Sequence, residues 1–146
     1  MKDILPLIKK EISGIQLSVV GSNVPECMSN MFSEDVVFYN HVSDSELVEL
    51  YLRSSVCIIP LRFGAGVKGK TLEAMHNSIP IVSTSVGIEG MPGIENYICP
   101  KDDATSFASE VVKILKNHNY ASELGFSYST YVSKYYSVEL LKNIFS

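Results

Sequence analysis

A chain of 146 residues with 46% hydrophobic and 19% charged composition has the size of one compact domain, large enough to bury a core without disulfides or a structural metal. Twelve basic against sixteen acidic residues, a net charge of −4, exclude a footprint spread over nucleic acid or an anionic membrane, so any anion site must be local. Apolar runs such as 56–59 and 79–82 fall far short of the roughly 20 residues of a membrane helix, and the N-terminus lacks a signal-peptide apolar region, so a cytoplasmic protein is expected.

Asp3 to Glu11 predicts a short helix with Pro6 near its first turn, ended by Gly14 before a strand from Gln16 to Val20. A helix around Pro25 to Met31 leads to a second strand, Asp35 to Tyr39. Ser43 and Glu46 have the spacing of a capping box, and Leu47, Val48, Leu50 and Tyr51 supply the apolar face of the helix that follows. A third strand spans Val56 to Pro60, the glycine-rich stretch Gly64 to Gly69 comes next, and Lys70 to Asn77 has helical composition. Ile79 to Thr84 and Tyr97 to Cys99 read as a fourth and a fifth strand. Helices are then expected over Thr105 to Lys116, Tyr120 to Tyr135 and Val138 to Phe145.

These strands are nearly continuous apolar runs, as expected when helices cover both faces of a sheet. The fold expectation is therefore α/β, an open parallel sheet of about five strands with helices on both faces, forming a single domain over residues 1–146. In such sheets ligands bind at the carboxyl ends of the strands, here the loops after Val20, Tyr39, Pro60, Thr84 and Cys99. Cys27, Cys57 and Cys99 are odd in number and lack C-x-x-C spacing, and all three read as small core residues. Tyr128, Tyr131 and Tyr135 share one helix face, which predicts core or interdomain packing rather than base stacking.

One loop stands out by charge. No Asp or Glu lies between Glu49 and Glu73, whereas Arg53, Arg62, Lys68 and Lys70 all do. This positive window surrounds Gly64, Gly66 and Gly69 just before a helix start, where close backbone approach and helix N-terminal N–H groups favour a phosphate. Two standard patterns match it. Residues 64–69 fit G-x-G-x-x-G, with Glu89 twenty residues beyond Gly69, but that fingerprint belongs to the first βα turn and this loop follows the third strand. Residues 64–71 also fit the G-x-x-x-x-G-K-[S/T] loop of nucleoside triphosphatases, through Lys70 and Thr71. That loop needs its first Gly close to a strand end and an Asp at another strand tip. Leu61, Arg62 and Phe63 intervene after Pro60, and Asp102 and Asp103 are the carboxylates nearest to a strand tip.

A longer pattern accounts for more of the chain. Residues 60–75, PLRFGAGVKGKTLEAM, and 79–91, IPIVSTSVGIEGM, with 17–21, 41–44 and 135–137 beside them, resemble the C-terminal donor-binding domain of glycosyltransferase family 4, the Rossmann-like half of a GT-B fold. The resemblance implies that Gly64, Gly66, Val67, Lys68 and Gly69 meet the diphosphate of a nucleotide sugar, with Arg62 and Leu72 bordering it. It implies that Glu73 binds the ribose hydroxyls, that the backbone at His41 and Val42 reads the base, and that Gly87 to Gly90 border the pocket. Lys68 and Glu73 are then the residues that carry catalysis.

The family's first glutamate, eight positions before the second, is Ala65 here. The family's first strand of this domain, with its basic residues, and its acceptor domain are expected to lie outside the chain, as in a cloned fragment or a truncated gene. The implied activity is retaining transfer of a hexose from UDP-sugar or GDP-sugar to a glycan or lipid-linked acceptor, in polysaccharide synthesis, with no required metal and no nucleic-acid partner. The chain alone is expected to bind but not turn over, to self-associate through faces left uncovered, and to act in the cytoplasm or at the periphery of the inner membrane. A P-loop nucleoside triphosphatase and a non-catalytic α/β interaction module are the alternatives.

Overall fold

The computed structural model describes residues 3–21 and 34–137; Cys27 and the expected helices over 25–31 and 138–145 lie outside them. Helix α1, Ile4–Glu11, follows Asp3 at its N-cap and buries Ile4, Leu5 and Ile8, with Lys9 and Lys10 in the last turn, where cations suit the helix dipole. Strand β1, Leu17–Val20, pairs in parallel with β2, Val36–Tyr39, with Leu17 opposite Val36 and Val20 opposite Tyr39. Lys9 reaches Asp35 at the start of β2. Helix α2, Asp44–Arg53, opens with the expected capping box. The Ser43 side chain accepts from the Glu46 N–H, and Glu46 accepts from the Ser43 N–H at 2.7 Å.

Strand β3, Cys57–Ile59, and strand β4, Ile81–Ser83, form a second parallel pair, with Ile58 opposite Val82. Helix α3, Gly69–His76, connects them. After β4 come two short 3₁₀ turns, Val86–Ile88 and Ile94–Asn96, then α4, Ala104–Lys116, and α5, His118–Tyr135. Asp103 caps α4 by accepting from the Ser106 N–H, and Asn117 caps α5 by accepting from the Tyr120 N–H.

Two apolar cores lie on opposite faces of β4, because successive strand residues point opposite ways. Ile81 joins Ala74, Met75, Ile98, Tyr128 and Tyr131 under α3 and α5. Val82 joins Ile4, Ile8, Phe107, Val111 and Ile114 under α1 and α4. The alternation continues in β3, where Cys57 and Ile59 pack on the first core and Ile58 on the second. This is the doubly covered parallel arrangement expected from the continuous apolar runs. Helix α5 comes closest at Gly125, where a Cβ would sit 2.2 Å from the Ser78 carbonyl oxygen.

Four expectations change. The described strands form two parallel pairs rather than one sheet of about five strands, and Tyr97 to Cys99 is not a strand. The backbone N–H groups of Tyr97 and Ile98 both turn back to the Ile94 carbonyl at 2.9 Å, so they are spent before reaching β4; Lys101 N–H then bonds the Ser83 carbonyl at 2.8 Å. Cys99 is exposed, because its neighbour Ile98 takes the inward position, while Cys57, partly buried, packs on the first core as expected. On α2 the apolar face narrows to Leu47, Leu50 and Tyr51, while Val48 is exposed. The tyrosine face of α5 does pack in the core. Tyr128 and Tyr131 are buried, and the Tyr131 hydroxyl donates to the Pro92 carbonyl at 2.9 Å.

Candidate functional site

The centre of the basic window forms the loop from β3 to α3, residues 60–68, almost all of it exposed, with Arg53 at the end of α2 and Lys70 on α3. Gly64 and Gly66 have φ of +135° and +72°, conformations that L side chains avoid, so this backbone shape requires glycine there. The Lys68 ammonium folds back to donate to the Gly66 carbonyl. Lys68 also occupies the N-cap of α3 without capping it through its side chain, and no acidic residue stands in the first turn. The first turn of α3 therefore carries no carboxylate, and the Lys68 ammonium lies over the loop just before it, beside Gly64 and Gly66, an arrangement that favours an anion.

The loop is anchored from below. The Thr84 hydroxyl donates to the Leu61 carbonyl at 2.6 Å, fixing the start of the loop to the end of β4. The Thr71 hydroxyl, with no accessible surface, donates to the Gly87 carbonyl at 3.1 Å. Gly87 is buried against the β3–β4 pair, and a Cβ there would lie 2.2 Å from Ser83 Oγ and 2.8 Å from the Ile59 side chain. It supports the loop rather than lining it. Gly90 follows with φ +78°, and a Cβ on it would come within 3.5 Å of Val67, so the post-β4 segment runs alongside the loop. Ser85, two residues before Gly87, donates to Asp102 from its N–H at 2.8 Å and its hydroxyl at 2.9 Å.

Other expected residues lie on the helices and after the strands of the first sheet. Glu73 is exposed on α3, one turn beyond Gly69, and the Tyr51 hydroxyl of α2 lies 3.4 Å from its Oε2. Lys70 extends across to the end of β1, its Nζ 3.4 Å from the Val20 carbonyl oxygen. Beyond β1, the end of β2 is level with it through the Gly21 N–H to Tyr39 carbonyl bond, and exposed His41, with φ +55°, and half-buried Val42 follow directly. Leu72 is half-buried and packs on the first core. Arg62 points elsewhere, with an exposed guanidinium 3.9 Å from Asp3. A cleft of about 50 Å³ beside it includes Pro60, Thr84 and Asp102.

Thr71 also bears on the triphosphatase pattern. A hydroxyl without accessible surface, committed to the Gly87 carbonyl, is not available to a metal ion. A larger recess of about 270 Å³ lies away from the loop, between β4, Tyr97–Lys101, α4 and α5. Its polar groups satisfy one another. The Tyr120 hydroxyl donates to Glu110 at 2.6 Å, and Lys113 sits 3.9 Å above the Tyr120 ring. Burial, reinforced by Glu110, pushes the Tyr120 phenol up to about 12.

Sequence reasoning missed the supports of this site. Thr84, Thr71 and Tyr51 act through single hydroxyls whose acceptors lie 23, 16 and 22 residues away in the chain. No local period marks such contacts. Among the described residues, no helix is long and apolar enough to cross a membrane.

Comparison with known proteins speaks to the family and the fold. Residues 1–117 match the family described as "Glycosyl transferases group 1". An uncharacterized 44.6 kDa protein in the cps region of Klebsiella pneumoniae is 29% identical over 150 residues, covering 96% of this chain and 38% of that protein. The chain thus spans well under half of that relative. Among solved structures, sucrose-phosphate synthase from Thermosynechococcus elongatus superposes with a TM-score of 0.73 at 19% identity, over 98% of this chain and 42% of that one. At that identity the likeness speaks to the fold, the Rossmann-like half of a GT-B architecture.

Proposed function

Because the chain belongs to the group 1 glycosyltransferases, we propose that it is the donor-binding half of a retaining hexosyltransferase. It holds a nucleoside diphosphate sugar, UDP-linked or GDP-linked, for transfer to a glycan or lipid-linked acceptor. The observation that carries this reading is the convergence at one end of the molecule of an exposed glycine loop, the Lys68 ammonium, an acid-free helix start and the Glu73 carboxylate. The diphosphate is the leaving group, and its charge grows as the bond to the sugar breaks. Lys68 and the N–H groups at the start of α3 stabilise that developing charge, and Glu73 accepts hydrogen bonds from the ribose hydroxyls. Val67 and Gly90 border the sugar side of the loop, and the backbone at His41 and Val42 faces the base. Since the protein's own cation and dipoles supply the positive charge, binding is expected without Mg²⁺.

The acceptor is taken by a further part of the protein, and the cleft between the two completes catalysis. The relative in a cps region supports polysaccharide synthesis as the setting, with the enzyme on the cytoplasmic side or at the membrane periphery.

Calorimetric titration with UDP, GDP and their sugar conjugates, with and without Mg²⁺, tests the reading. Saturable binding that survives removal of metal is the expected result. Lys68→Ala should then weaken diphosphate binding by about 1.5 to 3 kcal/mol, the usual worth of a charged hydrogen bond. Unchanged affinity in a folded Lys68→Ala protein removes Lys68 from the site. Preferential binding of ATP or GTP that depends on Mg²⁺ overturns the donor assignment.

A further inference from the structure

Glu73 stands on the outer side of α3, where a glutamate ordinarily samples many rotamers. Here a neighbour reaches it. Tyr51 belongs to α2, packs its ring against the first core, and points its hydroxyl at α3. The hydroxyl lies 3.4 Å from Glu73 Oε2 and 3.5 Å from the Lys70 carbonyl oxygen. Residues 70 and 73 are one turn apart on the same side of a helix. A single phenol therefore spans the stretch of α3 that carries both the helix start and the carboxylate.

The direction of the bond is fixed by chemistry. Burial, with smaller contributions from Cys57 and Glu73, raises the ionisation of the Tyr51 phenol above its ordinary range, so the hydroxyl stays a donor and Glu73 the acceptor. An ionised carboxylate offers about four acceptor positions, and one bond from Tyr51 leaves room for two vicinal hydroxyls. Hydrogen bonds around an unliganded site are commonly long and shorten when the ligand arrives.

We infer that Tyr51 is a positioning residue, holding Glu73 in the rotamer that receives the two ribose hydroxyls of the donor nucleotide. The inference rests on the ribose role proposed above for Glu73. Its physical content is entropic, since a carboxylate already held in place loses less freedom on binding than a free one. The phenol adds no contact to the ligand. Its effect must appear where Glu73 touches the ligand and vanish where it does not.

That requirement sets the experiment. The full chain is titrated calorimetrically with UDP and GDP and with the 2′,3′-dideoxy form of each, and the ratio of ribose to dideoxyribose affinity is the readout. Tyr51→Phe keeps the ring and its packing. The ratio should fall by about two- to tenfold, the worth of one immobilised side chain, while dideoxy affinity stays at the parent value and confirms that the variant is folded. An equal loss on both ligands shows a packing role and overturns the inference, as does an unchanged ratio. Glu73→Gln, run in parallel, separates the two levels. If the parent shows no ribose preference, or the preference survives Glu73→Gln, the ribose role of Glu73 fails and the inference with it. If Glu73→Gln erases the preference and Tyr51→Phe does not, the role of Tyr51 alone fails.

Discussion

The pair β1–β2 with α2 and the pair β3–β4 with α3, α4 and α5 use the same parallel strand geometry but bury their side chains very differently. In the second region every residue of β4 is buried, and Phe107, Met75 and Tyr131 have almost no accessible surface. In the first region Val36 is the buried residue of its strands, α2 buries none, and Leu52 is 67% exposed. The residues proposed to bind the donor lie along the boundary. The loop and α3 grow from the packed region, His41 and Val42 follow the strands of the thin one, and Tyr51 reaches across from α2 to Glu73 without touching the ligand itself. Packing fixes the frame in one region, while single hydrogen bonds set the details in the other.

The comparison breaks most directly by truncating a large side chain in each region. Phe107→Ala should cost about 3 to 5 kcal/mol of stability, as expected for an aromatic residue removed from a core. Leu52→Ala should stay within about 0.5 kcal/mol. Urea unfolding of the two variants measures both, and similar losses would show that α2 carries as much of the core as α4. A medium effect is expected beneath the loop. Gly87→Ala forces a Cβ against Ser83 Oγ and the Ile59 side chain and should cost about 1 to 3 kcal/mol by overpacking. Because Gly87 also anchors Thr71, the same variant should lose UDP or GDP affinity. A destabilised protein with parent affinity would separate the anchor from the loop.

The smallest effect concerns acid. Hydrogen bonds from Ser43 hold the Glu46 carboxyl below its ordinary pKa, and hydrogen bonds from Ser106 do the same for Asp103. A lowered carboxyl pKa contributes stability that is present above the unfolded value and lost as pH falls through the folded one, here below about pH 4. Asp103→Asn keeps a cap on α4 but removes its titration, so the melting temperature should fall less steeply with acid than in the parent. Glu46→Gln sits in the thin region. Its effect should appear in hydrogen exchange along α2 and leave the global melt unchanged, and a shift of that melt would erase the distinction between the regions.

Much of this arrangement was legible in the sequence, for physical reasons that differ by residue. The capping box at Ser43 and Glu46 is a contact between near neighbours and so reads locally. The glycine loop was visible because its backbone shape demands glycine at residues 64 and 66 and its charge contrasts with the rest of the chain. Tyr97 to Cys99 misled because a β-rich composition does not reveal that the preceding 3₁₀ turn consumes its N–H groups. Cys99 misled for a related reason, since which of two adjacent apolar residues turns inward depends on that same turn. Gly87, read in the sequence as bordering the pocket, instead sits beneath the loop, a role that depends on the Ser83 and Ile59 atoms facing it.

Strand β4 carries a last consequence. Ile81 belongs to one core and Val82, its immediate neighbour, to the other. The two cores therefore share a wall one residue thick, and neither can loosen without displacing the backbone of the other. Such a wall makes them a single cooperative unit, and their most protected amides should exchange with one common free energy. Thr84, the first residue after β4, grips Leu61 at the root of the glycine loop, so that root is tied to the shared wall while the exposed residues beyond it are not.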